Sequence, residues 1–248
     1  MKGRLLEEIQ RAVASHPGRT SWREPLMACA DAHDPLFGRL GEVANPGHLQ
    51  PSDILRGART VIAYFLPFSR GIIADNSSGR YASDGWARSY IETNALIAHI
   101  NTRMSAVLES HDFRAGTIAP THNFDVQSLL SPWSHRHAAY IAGLGTFGLN
   151  RMLITEQGCC GRIGSLVTDA AIPADPRPEQ EYCPFRIDGS CGACVKRCPV
   201  GALSTSAFDR HACYGALLAN ERRFAHLGRA DVCGKCLCGL PCSEARPS

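Results

Sequence analysis

The chain has 248 residues, 44% of them hydrophobic, and a formal charge of +3. That length buries a sizeable core without cross-links, so the twelve cysteines are not there to staple a small fold. The charge is too small and too evenly spread to mark a nucleic-acid or membrane-surface partner.

At the N-terminus Leu5, Leu6, Ile9, Ala12 and Val13 follow a helical period, and no uninterrupted apolar run of signal-peptide type precedes them. Residues 60–66, rich in β-branched and aromatic side chains and ended by Pro67, predict a buried strand. The longest apolar stretch, residues 61–68, is far short of the roughly 20 residues that span a bilayer. A cytoplasmic protein is expected, and in that compartment cysteines stay reduced and point to metal. A long helix is predicted over residues 83–110, on the spacing of Trp86, Tyr90, Ile97, Ile100, Met104, Val107 and Leu108. A strand near 113–119, a helix over 132–142 and short strands at 152–155 and 163–168 follow. Pro173, Pro176 and Pro178 then interrupt regular structure and mark a linker or a long surface connection. The expected fold is α+β: a compact α/β core over residues 1–178 and a cysteine module over 179–248.

Nine of the twelve cysteines fall in that module. Cys191, Cys194 and Cys198-Pro199 reproduce the C-x2-C-x3-C-P part of the bacterial ferredoxin run, but Asp188 stands where its first cysteine belongs. Cys183, carried back by a loop containing Gly189, is the natural substitute. In two-cluster ferredoxins the cysteine before the proline serves the other cluster. The rule groups Cys183, Cys191, Cys194 and Cys242 around one [4Fe-4S] cluster and Cys198, Cys213, Cys233 and Cys236 around a second. Spacing alone leaves Cys238 open as a substitute for Cys242. The competing reading is a pair of zinc sites, since C-x2-C pairs also bind zinc. Cys29, Cys159 and Cys160 lack partners at ligand spacing and read as core or surface thiols.

Several motifs occur in order: Arg80-Tyr81-Ala82 ahead of the long helix, Ala142-Gly143-Leu144-Gly145-Thr146-Phe147-Gly148-Leu149-Asn150 before the strand at 152–155, Gly164-Ser165-Leu166-Val167-Thr168-Asp169, and the double-cluster module. From about residue 55 onward the chain resembles the epoxyqueuosine reductases and, more distantly, the reductive dehalogenases. The resemblance implies a nitroreductase-like α/β core carrying a ferredoxin-like module, with a corrinoid (cobalamin) lying between the two. Gly143, Gly145, Gly148, Asn150, Arg162 and Ser165 are the expected cofactor-binding residues, with glycines that let backbone approach a flat ligand; the competing reading of those glycines is a tight helix-to-strand turn. The acidic proton donor of the epoxyqueuosine reductases corresponds here to Leu129, ahead of Pro132. The resemblance also implies an extension that helps to hold transfer RNA, which is not expected here because six residues follow Cys242.

The cluster Trp133-Ser134-His135-Arg136-His137 leads into the glycine turn. His135 and Tyr90 are the candidate catalytic proton donors, with His137 an alternative to His135 and Arg136 a holder of an anionic group. Each has a bland alternative, a solvated helix face for the first three and a core position for Tyr90; His122 and Arg162 are polar residues near the same region. Gly143-x-Gly145-x-x-Gly148 follows a helix and precedes a strand, the reverse of the dinucleotide order, so ferredoxin or flavodoxin rather than NAD is the expected electron donor. The expected function is an iron-sulfur reductase passing electrons through a corrinoid to an unidentified substrate. The alternative is an electron-transfer protein that reduces a partner or a corrinoid protein and has no substrate of its own.

Overall fold

The computed structural model describes residues 1–247. In chain order the elements are α1 (Lys2–Ala14), β1 (Leu26–Asp31), three single-turn helices α2 (Pro35–Gly38), α3 (Leu40–Val43) and α4 (Pro51–Ile54), and β2 (Thr60–Pro67). They continue with α5 (Arg70–Asp75), α6 (Asp84–Glu109), β3 (Ala115–Thr117), α7 (His135–Ile141), β4 (Gly145–Phe147), β5 (Leu153–Thr155) and β6 (Gly161–Thr168). The cysteine-rich end carries α8 (Pro184–Asp188), α9 (Ala193–Lys196) and α10 (Arg210–Arg223).

β2 is buried along its whole length because it lies inside an antiparallel sheet of order β1-β2-β6-β3 with helices on both faces. Alternate residues supply the two cores, as the period of a strand dictates. Val61, Ala63 and Phe65 face Phe37, Trp133, Ala138 and Ile141, whereas Ile62, Tyr64 and Leu66 face Leu5, Ile9, Ile97 and Ile100 of α1 and α6. Tyr64 lies flat across β6, opposite Gly164, where a Cβ would overlap its ring, and its hydroxyl donates to Asn101 Oδ1 at 2.8 Å.

The long helix begins where Ser83 Oγ accepts the Trp86 N–H at 3.2 Å, which satisfies one orphan donor of the first turn. At 1.5 Å per residue its 26 residues span about 39 Å, enough to serve two regions. Its C-terminal half packs on the sheet. Its N-terminal half gives Trp86, Ala87 and Tyr90 to a third core shared with Tyr182, Leu203, Phe224, Val232 and Leu237 of the cysteine-rich segment. The segment with three prolines is a surface connection tied to the sheet edge: the Asp175 N–H donates to the Cys29 carbonyl and the Asp175 carboxylate accepts the Cys29 N–H, both at 2.8 Å. The helix expected over 132–142 starts at His135, after Pro132 and with Ser134 as its cap. No described helix is long and apolar enough to cross a membrane.

Candidate redox centre and cavity

Cys183 precedes α8, Cys191 lies in the loop before α9, Cys194 sits in α9, and Cys242 lies in a turn. All four line one small cavity closed by Phe185, Leu149 and Leu240. Cys198, Cys213 on α10, Cys233 and Cys236 line a second, much larger cavity of about 910 Å³. The two groups are those that the ferredoxin rule separates. Cys238 lies away from the small cavity: it is fully buried, its Sγ is 3.8 Å from Cys160 Sγ, and Asn76 Nδ2 donates to it at 3.5 Å. Burial pushes the Cys194 and Cys213 thiols up to about 11, so only a bound cation would hold them as thiolates at neutral pH. Cys29 is a core thiol, pushed up to about 12 by burial.

These donor sets fit polynuclear iron-sulfur centres. Each is made of soft sulfur ligands only; the small cavity is apolar, whereas the large one mixes apolar and charged side chains. Among the described residues no group of three or more His, Cys, Asp or Glu side chains is drawn together around a single metal-ion site. Asn150 lines both cavities; its Nδ2 donates to the Cys236 carbonyl at 3.1 Å and its Oδ1 accepts the Met152 N–H at 3.1 Å.

The large cavity is walled by α7 through Arg136, His137 and Tyr140, and by Leu129 and Leu130 from the loop before it. Burial, with the Arg136 guanidinium beside it, pushes His137 down to about 4, so the ring is neutral at physiological pH. Arg136 donates to the Arg151 carbonyl at 2.8 Å. Leu129 has φ of +56°, a left-handed conformation that costs a branched side chain roughly 1–2 kcal/mol.

Other residues singled out from sequence lie beneath this cavity instead of in its wall. His135 is buried; its Nε2 donates to the Ala119 carbonyl (3.1 Å), its Nδ1 accepts from Ser165 Oγ (2.7 Å), and Ser165 accepts from Trp133 Nε1 (3.0 Å). Both ring nitrogens are thus engaged, and burial, followed by a smaller like-charge effect of Arg162, pushes His135 to about 4. In this state it anchors the loop and has no free proton to give. Tyr90 donates to the buried Asp231 carboxylate at 2.8 Å, His122 Nε2 meets the same oxygen at 2.9 Å, and the Arg162 guanidinium lies 4.4 Å from the Tyr90 ring centre. Arg162 Nε is buried with no hydrogen-bond partner. Asp231 therefore joins the α6 side to the segment carrying Cys233, a pairing across 141 residues that no local pattern announces.

The glycines divide in the same way. A Cβ on Gly143 would overlap the Pro176 carbonyl, and one on Gly145 the Ile154 carbonyl, so both serve close packing of the chain on itself. Gly148 borders the small cavity, where a Cβ would crowd Asn150 Oδ1 and Ile154.

The His135 geometry sets a pH dependence. The unfolded ring has its ordinary value of 6.5, so between pH 6.5 and about 4 the unfolded chain binds a proton that the folded chain refuses. His135 is expected to leave stability level above pH 6.5, to lower it by on the order of 3 kcal/mol from there to about pH 4, and to add nothing below; His137, also pushed to about 4, adds a loss of the same sign over the same window. Urea unfolding at pH 7.5 and pH 5 measures it. The loss should shrink in His135→Gln; an equal loss in that variant refutes the assignment.

No family model matches the chain. It is 29% identical over 163 residues to the epoxyqueuosine reductase of Synechococcus sp. (strain CC9605), which covers 65% of this chain and 46% of that protein. The chain spans about half the length of the curated relatives it matches. An epoxyqueuosine reductase solved with an epoxyqueuosine-modified tRNA-Tyr stem loop has the same fold, with a TM-score of 0.61, 18% identity, and coverage of 100% of this chain and 66% of that one. A catabolic reductive dehalogenase matches at TM-score 0.59 and 16% identity, covering 96% of this chain and 36% of the other.

Proposed function

Taking kinship with the epoxyqueuosine reductases as the premise, we propose that the chain is an iron-sulfur oxidoreductase with two [4Fe-4S] clusters that delivers electrons to a corrinoid and thence to a substrate in the large cavity. The observation that carries this reading is that one of the two thiol groups, Cys198, Cys213, Cys233 and Cys236, opens directly onto that cavity. The other group, Cys183, Cys191, Cys194 and Cys242, is closed off beside it, with Asn150 between the two. A cavity of about 910 Å³ lies at the upper end for ligand sites, and a cluster on the four thiols would take part of it. Its apolar walls, among them Tyr140, Phe147 and Leu217, suit a flat macrocycle. Bound clusters would supply single electrons, and a bound corrinoid the reductive chemistry at the substrate.

The chain's own residues set the conditions. Leu129 and Leu130 keep one wall dry; the relatives' acidic proton donor has no equivalent carboxylate at this position. Arg136 and the neutral ring of His137 are the polar groups that α7 presents to the cavity. The low, evenly spread charge is a weak argument against nucleic acid, because a protein of the same fold has been solved on a tRNA stem loop.

Anaerobic purification with iron, zinc and cobalt analysis tests the proposal. About eight iron atoms per chain and a brown absorption that dithionite bleaches are expected, from two four-iron cubanes. About two zinc atoms and no visible absorption would remove the redox reading. Cobalamin added to the loaded protein should shift its absorption saturably; no shift at high micromolar concentration would leave a protein that passes electrons to a partner.

A further inference from the structure

We propose that the large cavity selects a small anionic substrate, one bearing a phosphate or a carboxylate, and that Arg136 is its anchoring cation; this rests on the reading of the cavity as the substrate site. Arg136 on α7, Arg151 before β5, Arg186 on α8 and Arg210 at the start of α10 converge on this one cavity from four separate segments. Glu181 is the one carboxylate among its described lining residues.

None of these four arginines has a carboxylate within ion-pair distance among the described residues. Seven other arginines, among them Arg103 with Glu8, Arg114 with Asp169, Arg177 with Asp34 and Arg229 with Glu221, do have such a partner; what sets these four apart is that they line one recess together. All four are exposed, so solvent and salt weaken their mutual repulsion; as like charges around one recess they still raise the local concentration of anions that enter it. An anion relieves that repulsion, and a neutral ligand does not.

Two of the arginines are already held in place. Arg136 uses one N–H on the Arg151 carbonyl (2.8 Å), and Arg210 uses one on the Ser128 carbonyl (3.3 Å). A guanidinium carries five N–H donors, so most of the fork is left for a ligand. Such a pre-set fork suits two oxygens of one carboxylate or phosphate. Next to these cations Tyr140 and Phe147 offer apolar faces for the body of the substrate. At about 910 Å³ the recess is of the size that encloses a small molecule, and an RNA backbone is the competing occupant that the test separates.

The same phosphate chemistry could come from the nucleotide tail of a corrinoid, and the test separates the two sources. Inorganic pyrophosphate, with glycerol as the neutral control, is titrated calorimetrically into the anaerobic, iron-loaded full chain at low salt. Pyrophosphate should bind once per chain, about tenfold or more weakly in Arg136→Gln, with partial recovery in Arg136→Lys. The exposed Arg186→Gln should weaken binding by a smaller factor, and it serves if Arg136→Gln does not fold. No binding at millimolar pyrophosphate, or unchanged binding in both Gln variants, overturns the proposal. So does an Arg136→Gln effect on cobalamin that is absent with cobinamide, which lacks the tail phosphate, or displacement of pyrophosphate by an RNA stem loop that depends on Arg136. Iron near zero with pyrophosphate still bound would refute the cluster reading and leave the anion site standing.

Discussion

Replacing Cys213 by alanine is expected to remove about half of the iron, roughly four atoms of eight per chain, while the remaining cluster still bleaches with dithionite. Cys213 stands on α10 and shares the wall of the large cavity with Cys198, Cys233 and Cys236, and its loss leaves a cubane one ligand short. The same loss is expected for Cys198→Ala and, at the other cluster, for Cys242→Ala. Cys238→Ala and Cys159→Ala should retain all the iron. Cys238 is buried against Cys160 and Asn76, and Cys159 Sγ lies 3.9 Å from Cys242 Sγ without lining either cavity. Full iron in Cys242→Ala with half in Cys238→Ala would reverse that assignment. Folding should suffer with the iron, because metal binding and folding are coupled in cysteine-rich modules.

Gly145→Val is expected to abolish stable folding instead of merely blocking a ligand. Gly145 pairs with Thr155 in the β4–β5 hairpin, and a side chain there would run into the backbone carbonyl of Ile154, which no rotamer change can move. Overpacking of side chains costs about 1–3 kcal/mol, and a backbone overlap lies at or above that limit. Measured against a typical stability of about 5–15 kcal/mol, together with the strand pairing it disrupts, that loss should show as insoluble protein or an unfolding midpoint far below the wild type. A soluble Gly145→Val chain with normal stability would contradict this packing.

The parts of the fold legible in the sequence are those written in local pattern. α6 appears in the helical spacing from Trp86 to Leu108 and in its Ser83 cap, and β2 in an apolar run ended by proline. The eight cysteines line two cavities in the groups that the ferredoxin spacing rule gives, a rule that joins segments far apart in the chain. β1 escaped because Leu26–Asp31 carries no β-branched residue, and β4 because Gly145–Phe147 is three residues long. The cavity was only partly legible. Arg136 stood out beside two histidines, but Arg151, Arg186 and Arg210 come from segments with no common motif. His135 and Tyr90 looked catalytic for being polar in the right region; what sequence does not show is that Ala119, Ser165 and Asp231 already satisfy them.

With the two proposed clusters in place, the core shared by α6 and the cysteine-rich segment would make iron supply a determinant of how long the chain survives in a cell. Trp86 and Tyr90 share a core with Phe224 at the end of α10 and with Val232 and Leu237, which flank Cys233 and Cys236 in sequence. A chain made without iron would lack what fixes those two cysteines, so it would expose aromatic surface of the kind that proteases and chaperones read as damage. Its turnover should quicken in iron-starved cells, measurable as a shorter half-life in a pulse-chase experiment. Loading with iron would then act as a checkpoint that only a redox-competent chain passes.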